Sequence, residues 1–231
     1  MTDTINRRDL ITGAAVGLAL ATAPALAQTT AAPAAGGYQR LPLKVKTVKG
    51  LSEQILQSHY DNNYSGAVNR LNAINAELAK LDMATAPAFV LNGLKREQLI
   101  ATNSMILHEV YFASLGDGGE PKGEIATAIA KDFGSVAAWR AEFAATGKAL
   151  GGGSGWVLLT YSPRLGRLVN QWAADHSMTI ADATPILALD MYEHAYHMDY
   201  GAKAAAYVDA VMAAINWDNV AAAYAAQRTK R

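Results

Sequence analysis

Histidines and acids are concentrated in one short stretch near the end of the chain, LALDMYEHAYHMDYG, which begins at Leu187. Asp190 closes an apolar segment, and His194 follows it by four residues. A carboxylate at the end of a buried strand is costly unless it is paired or bound to a cation. The stretch is therefore compatible with a metal site or with the polar face of an ordinary helix, and the remaining histidines bear on the choice.

Two of those histidines, His59 and His108, fall on the apolar faces of two predicted helices, with apolar residues three and four positions away. A single inward histidine is ordinarily a hydrogen-bonded core residue. Two on facing helices are costly to bury without partners. Together with His194 and Asp190 they would form a nitrogen-rich, mono-anionic site that suits iron, manganese or zinc better than calcium or magnesium. Spacing alone leaves both interpretations open.

Composition narrows the chemistry further. The chain has 231 residues, 51% of them apolar, with 20 basic and 20 acidic side chains, five histidines and no cysteine. The absence of cysteine excludes disulfides, thiolate ligands and cysteine nucleophiles, so any metal must bind nitrogen and oxygen. A neutral chain does not favour nucleic-acid binding, and the lysines at positions 44, 46 and 49 are interpreted as a solvated edge.

The first segment is typical of an export signal. Arg7 and Arg8 precede an apolar run, residues 14–23, that is too short to span a bilayer, and ALA stands before Gln28. The paired arginines resemble a twin-arginine signal; an ordinary secretory signal is the alternative. Cleavage after Ala27 would give a periplasmic or secreted protein that is not a membrane protein in its mature form.

Apolar periodicity predicts a helical first half and a mixed second half. We expect one helix over 51–81 that bends near Ser65-Gly66, a loop with Pro87 and Asn92-Gly93 as breakers, and a second helix over 95–115. Further helices are predicted at 121–132, 135–148, 202–215 and from 217 onward, with strands at 156–161, 167–173 and 186–190.

These elements predict an α+β fold, in which a long N-terminal α-helical hairpin is followed by a mixed C-terminal domain with a three-stranded antiparallel sheet and flanking helices. The predicted divisions are a signal (1–27), a flexible leader (28–40), a hairpin domain (41–116) and an α/β domain (117–231). The glycine run LGGGSG lacks the lysine of a phosphate loop, and we assign it to close backbone packing.

Several segments, taken together, are similar to one known family. DMYEHAYHMDY resembles the D-x-W-E-H-A-Y signature of the iron/manganese superoxide dismutases. LSEQILQSHY and LHEVYFASLG resemble the two ligand helices of the family, and YVDAVMAAINWDNVAAAY resembles its closing helices. With GSGWVLL, which resembles the start of a family strand, the likeness covers nearly all of residues 41–226.

The resemblance implies a function and a site. Superoxide would be the substrate, and one iron or manganese ion per subunit, with iron slightly favoured, would cycle between +3 and +2. The implied metal ligands are His59, His108, Asp190 and His194. Glu193 matches a glutamate that reaches across a dimer interface, which implies a homodimer or a homotetramer.

The chain departs from the family around these ligands. A gateway tyrosine is usual eight residues after the first ligand, where this chain has Ala67, and a histidine is usual at the position of Asn63. His197 replaces a tyrosine that bonds across the dimer, and Tyr192 replaces the tryptophan of the signature. We expect slower proton delivery, with Tyr64 and Tyr60 as partial substitutes for the missing groups.

The residue that orients the metal-bound solvent is also atypical. The family uses a glutamine at one of two positions, which correspond here to Ser104 and to His176 or its neighbour Asp175. His176 is the candidate for this role and Asp175 its rival. The alternative function is a metal-binding relative with altered or lost dismutase activity, either a peroxide-using oxidase or a non-enzymatic metal protein, because the gateway position is Ala67.

Overall fold

The computed structural model describes residues 36–228, so the predicted signal and most of the predicted leader lie outside the described residues. No helix between these limits has both the length and the apolar composition needed to cross a membrane. The elements, in chain order, are α1 (Glu53–Ser58), a π-helical turn (His59–Tyr64), α2 (Ser65–Leu78), α3 (Ala88–Ser114), α4 (Gly123–Phe133), α5 (Val136–Ala149), β1 (Trp156–Ser162), β2 (Arg167–Ala173), β3 (Thr184–Asp190), a 3-10 turn (Glu193–Ala195), α6 (His197–Tyr200), α7 (Ala204–Ala213) and α8 (Trp217–Arg228).

The start of α1 is fixed by a side-chain cap. Ser52 Oγ accepts a hydrogen bond from the backbone N–H of Ile55 at 3.1 Å, which satisfies one of the free donors at the helix end. The Asp199 carboxylate accepts from both the N–H and the hydroxyl of Ser52, each at 2.7 Å. Asp199, which follows the last predicted ligand, His194, therefore stabilises the start of α1. This helix leads directly to the first predicted ligand, His59.

The first helix continues from α1 to α2 through the π-helical turn. The predicted bend near Ser65 is replaced by this turn, which ends just before it. The N–H of Ser65 bonds to the carbonyl of Tyr60, five residues back, which is the π pattern. Such turns are rare and often occur at functional sites, and this one begins at His59.

The predicted loop before α3 is wrong in its second half. The helix begins at Ala88 rather than Lys95, and Asn92-Gly93 lies inside it. A glycine in a helix costs about 1 kcal/mol, but contacts with α2 outweigh that cost. Gln98 Nε2 donates to Asn75 Oδ1 at 2.6 Å, and Arg70 pairs with Glu97 across the hairpin.

The predicted three-stranded antiparallel sheet and the α+β fold are confirmed. The strand order is β2-β1-β3, so β1 is central, and all seven of its residues are buried. Trp156, at the start of β1, pairs with Asp190 at the end of β3 and with Ala173 at the end of β2. Asp190 and Trp156 therefore lie side by side at the same end of the sheet. The division into domains at residue 116 stays a prediction.

Two glycines allow close packing around this end of the sheet. A Cβ on Gly155, in the predicted glycine run, would lie 2.1 Å from the carbonyl oxygen of Ala173. A Cβ on Gly147 in α5 would lie 2.7 Å from Leu189 Cδ2 and 3.2 Å from Val208. Because Leu189 directly precedes Asp190, Gly147 allows α5 to pack tightly behind the end of β3.

Replacing Gly147 by alanine should therefore destabilise the protein by about 1–3 kcal/mol, the usual cost of overpacking a core. The matched control is Gly93→Ala, because Gly93 is also helical but a Cβ there would meet no atom within 4 Å. That change should stabilise the protein by roughly 0.5–1 kcal/mol. Denaturant unfolding midpoints measure both, and a Gly147→Ala variant as stable as the wild type would contradict the packing argument.

Candidate metal centre

Four separate elements deliver the four predicted ligands to one point. His59 begins the π-helical turn, His108 lies on α3, Asp190 ends β3 and His194 lies in the 3-10 turn. One potential ligand atom from each lies within 4.8 Å of all the others. Asp190 Oδ2 is 3.2 Å from Nε2 of His59, 3.2 Å from Nε2 of His194 and 3.8 Å from Nε2 of His108. Ligands bonded at about 2.1 Å to one ion are themselves roughly 3–4 Å apart, so the spacing fits a single ion.

The burial of these atoms supports the same conclusion. His59 and His108 are each 1% exposed and Asp190 is 0% exposed. Within residues 36–228, Nε2 of His59 and Nε2 of His108 have no hydrogen-bond partner. A buried polar atom without a partner costs about 1–3 kcal/mol. A bound cation would satisfy both nitrogens and the carboxylate together.

The protonation states also fit a metal. Burial lowers the pKa of His59, and it lowers the pKa of His108 to about 3. Burial opposes ionisation of Asp190, yet the His194 and His59 rings beside it hold the pKa of that carboxyl well below its usual value. Neutral imidazoles and one carboxylate give the set a charge of −1. Imidazole suits iron and carboxylate suits manganese, so this donor set is compatible with both.

Contacts behind the ligands fix their orientation. His108 Nδ1–H donates to the carbonyl of Ser104 at 2.6 Å, which leaves Nε2 as the free lone pair. The backbone N–H of Tyr192 donates to Asp190 Oδ1 at 2.8 Å. The Tyr207 hydroxyl donates to the carbonyl of Asp190 at 2.7 Å and lies 3.2 Å from the Tyr111 hydroxyl. Sequence reasoning missed Tyr207, because its partner is a backbone atom that no side-chain pattern reveals.

Aromatic rings surround the cluster. The Phe112 ring lies 5.1 Å from the His59 ring, the Trp156 ring lies 5.3 Å from the His108 ring, and Tyr192 stacks on His194 at 5.4 Å. Trp217 lies elsewhere: it packs against Trp139 and donates to the carbonyl of Gly119, and so belongs to the core.

His176 lies beside the ligand cluster, and Asp175 precedes it in the same turn. Trp156 Nε1–H donates to His176 Nδ1 at 2.9 Å, and Asn103 Nδ2–H donates to the His176 carbonyl at 2.6 Å. The His176 ring stacks on Tyr192 at 4.9 Å and lies 6.2 Å from the His108 ring. An indole N–H only donates, so Nδ1 accepts and the proton of the neutral imidazole is on Nε2.

The Asp175 carboxylate is bound locally instead. Its Oδ1 accepts from the N–H of Ser177 at 2.7 Å and from the Ser177 hydroxyl at 2.6 Å. Burial lowers the pKa of His176 and favours its neutral form. Of the two rival residues, His176 is the one whose side chain contacts residues around the cluster, namely Trp156 and Tyr192. Asn103, which anchors its backbone, is a second residue that sequence reasoning missed.

Tyr64, predicted to help in proton delivery, is engaged elsewhere. Its hydroxyl accepts from the N–H of Leu41 at 2.8 Å and donates to Glu109 Oε1 at 2.9 Å. Its ring lies 6.3 Å from that of His108, and burial raises the pKa of Tyr64 to about 12, so the phenol stays protonated at neutral pH. Glu109 was not singled out from the sequence.

The other predicted residues lie at different depths. Ala67 is buried in α2 and Asn63 is half-buried in the π-helical turn, whereas Glu193 and His197 are exposed in this single chain. Ser104, the other position compared with the family glutamine, is buried, and its hydroxyl lies 3.4 Å from His108 Nδ1. Ser104 therefore contacts a predicted ligand but lies behind the ring.

Comparison with known proteins identifies the family. Residues 121–223 match the family described as iron/manganese superoxide dismutases, C-terminal domain. The chain is 71% identical over 191 residues to superoxide dismutase [Fe] of Cupriavidus metallidurans, which covers 82% of this chain and 97% of that protein. The chain belongs to the iron/manganese superoxide dismutases.

More distant members of the iron/manganese superoxide dismutases carry either metal in their names. Superoxide dismutase [Mn] 2 of Halobacterium salinarum is 36% identical over 177 residues, covering 75% of this chain and 86% of that protein. Superoxide dismutase [Fe] of Pyrobaculum aerophilum is 34% identical over 175 residues, covering 74% and 82%. The family therefore accommodates both metals that the donor set allows.

Replacing Asp190 by asparagine tests the site directly. The change keeps the shape of the side chain but removes the only negative charge among the four donors. Affinity for iron or manganese should fall more than about 100-fold, because changes behind the ligands alone cost about 10–100-fold. Metal analysis after dialysis measures the loss, and the rise in melting temperature on adding metal should disappear with it. Asp218→Asn, at an exposed position, is the control; retention of one ion per chain by Asp190→Asn would refute the site.

Proposed function

We propose that this protein is a superoxide dismutase. Two superoxide ions and two protons would yield one dioxygen and one hydrogen peroxide at a single bound iron or manganese ion. The observation that supports this most strongly is the convergence of three imidazole nitrogens on one buried carboxylate oxygen of Asp190. It occurs in a chain 71% identical to superoxide dismutase [Fe] of Cupriavidus metallidurans.

The four donors explain why such a site attracts superoxide. His59, His108 and His194 would bind the ion through Nε2 and Asp190 through Oδ2. When bound, the ion would supply electron transfer by alternating between +3 and +2. The donor set carries a charge of only −1, so a trivalent ion is incompletely neutralised, and the excess positive charge attracts a small anion. The surrounding rings of Phe112 and Trp156 keep water away and strengthen that attraction.

We assign the orientation of solvent in the site to His176. Its Nδ1 accepts from Trp156, so Nε2–H is the hydrogen-bond donor that the ring offers. Asn103 holds its backbone, and Tyr192 holds the plane of the ring. A fixed donor beside a metal site influences its redox potential and the protonation of its solvent.

Proton delivery should be the weak step. Ala67 has no hydroxyl, and the Tyr64 hydroxyl already donates to Glu109. A general acid contributes about 10²–10⁴-fold where it is used, so a slow enzyme is expected rather than an inactive one. The alternative is a metal-binding relative that catalyses another reaction or none. The measured rate of superoxide removal distinguishes it from this proposal.

The metal-loaded protein should remove superoxide catalytically in a pulse-radiolysis assay. We expect the iron and manganese forms to react below the diffusional ceiling of about 10⁸–10⁹ M⁻¹ s⁻¹, because of the weak proton step. The Asp190→Asn variant, dialysed free of metal, is the control. A rate no better than that of the free aquo-ion would exclude dismutation and favour an altered or non-enzymatic function.

Replacing Ala67 by tyrosine should raise the turnover rate, by about tenfold or more if the new hydroxyl serves as a proton donor. Ala67→Phe is the matched control, because it fills the same space without the hydroxyl. Turnover at saturating superoxide separates the two variants. Equal rates for both would show that the missing hydroxyl does not limit the reaction.

We further propose that the protein is a homodimer or homotetramer. Glu193 and His197 are exposed and flank the ligand His194, so a second copy packed there could bond to the ligand region. Analytical ultracentrifugation measures the state of association, and Glu193→Ala should weaken it. A wild-type protein that is monomeric at micromolar concentration would contradict the proposal.

We also propose that Arg7 and Arg8 direct export to the periplasm or beyond. Replacing both arginines by lysine should retain the protein in the cytoplasm, as cell fractionation would show. Unchanged export would favour the ordinary secretory signal, and export of neither form would exclude both.

A further inference from the structure

A cavity of about 290 Å³ lies next to the metal centre but outside it. None of the four predicted ligands lines this cavity. Phe112 forms part of its wall, and the same ring lies 5.1 Å from that of His59. One side chain therefore touches both the cavity and the ligand cluster.

The cavity walls are mostly apolar and are held in place. Leu41, Leu43 and Val45 line the cavity together with Phe112 and Leu115. The backbone of Leu41 is fixed at both polar atoms, because its N–H donates to the Tyr64 hydroxyl and its carbonyl accepts from the Tyr60 hydroxyl, each at 2.8 Å. These hydrogen bonds indicate a preformed cavity rather than a gap under a loose segment.

One carboxylate, that of Glu109, lines this apolar space. Its Oε1 accepts from the Tyr64 hydroxyl. Among residues 36–228 no ion pair includes Glu109, although Lys44 also lines the cavity. A half-buried carboxylate of this kind is stabilised when a cation binds beside it.

We propose that this cavity binds a small organic monocation, a primary ammonium group carried on a single ring or a short apolar chain. The ammonium would pair with the Glu109 carboxylate, and the apolar part would pack against Phe112 and the leucines of the walls. Small-molecule sites usually measure about 300–1,000 Å³, so this cavity takes a ligand of roughly ten heavy atoms. The site does not depend on the dismutase proposal, since it is defined by residues outside the ligand cluster.

The test compares benzylammonium with benzyl alcohol, a neutral molecule of nearly the same shape, by calorimetric titration of the metal-loaded protein. Benzylammonium should bind with a dissociation constant of about 0.1–1 mM, as expected for a ligand of this size, and at least about tenfold more tightly than benzyl alcohol. In Glu109→Gln this preference should vanish. No binding of benzylammonium below about 10 mM, or an unchanged preference in Glu109→Gln, would overturn the proposal.

A second variant locates the binding without altering the carboxylate. Ala113 is exposed and lines the cavity, so Ala113→Leu should fill it and weaken both ligands at least about fivefold. Ala137→Leu, at an exposed position on α5 away from the cavity, should bind both as the wild type does. Wild-type binding by Ala113→Leu would place the ligand elsewhere and refute the site. Because no superoxide enters this experiment, its result is separate from that of the dismutase assay.

Discussion

A carboxylate with no exposure to solvent, that of Asp190, sets the constraint on which the centre of this protein depends. An isolated buried charge is among the costliest features a fold can contain. Here three imidazole nitrogens lie 3.2–3.8 Å from one of its oxygens, and two of those nitrogens have no hydrogen-bond partner of their own within the described residues. The arrangement is stable when a cation completes it, so folding and metal binding are thermodynamically linked.

The rest of the fold holds this carboxylate in position. The sheet register sets Asp190 opposite Trp156, and the Tyr207 hydroxyl holds the Asp190 carbonyl. Trp156 then donates to His176, so the same strand pair positions a metal donor and the anchor of a neighbouring imidazole. The helical ligands are placed in turn by contacts between distant segments, such as Ser52 with Asp199. Because these contacts come from both halves of the chain, the site requires the whole fold.

Much of this could be predicted from the sequence, for definite reasons. Buried histidines and a strand-ending aspartate are rare and costly, so their positions carried the information about the site. Short, nearly continuous apolar runs indicated the strands. The start of α3 was predicted wrongly because Asn92-Gly93 has local turn propensity, which packing against α2 overrides. Asn103, Tyr207 and Glu109 could not be predicted, because each acts through a hydrogen bond to a residue distant in sequence, and no local periodicity encodes such a pair.

The π-helical turn at His59–Tyr64 changes how positions along this helix are to be counted. The turn contains about one residue more than an α-helical turn. The side chains of α2 are therefore rotated about the helix axis by about 100° relative to their positions in an uninterrupted α-helix. A helical wheel drawn from His59 on α-helical geometry therefore misplaces Ala67 by about that angle. Removing one residue from the turn would restore a regular helix and rotate α2 relative to α1 by a similar angle, so the number of residues in this turn matters as well as their identity.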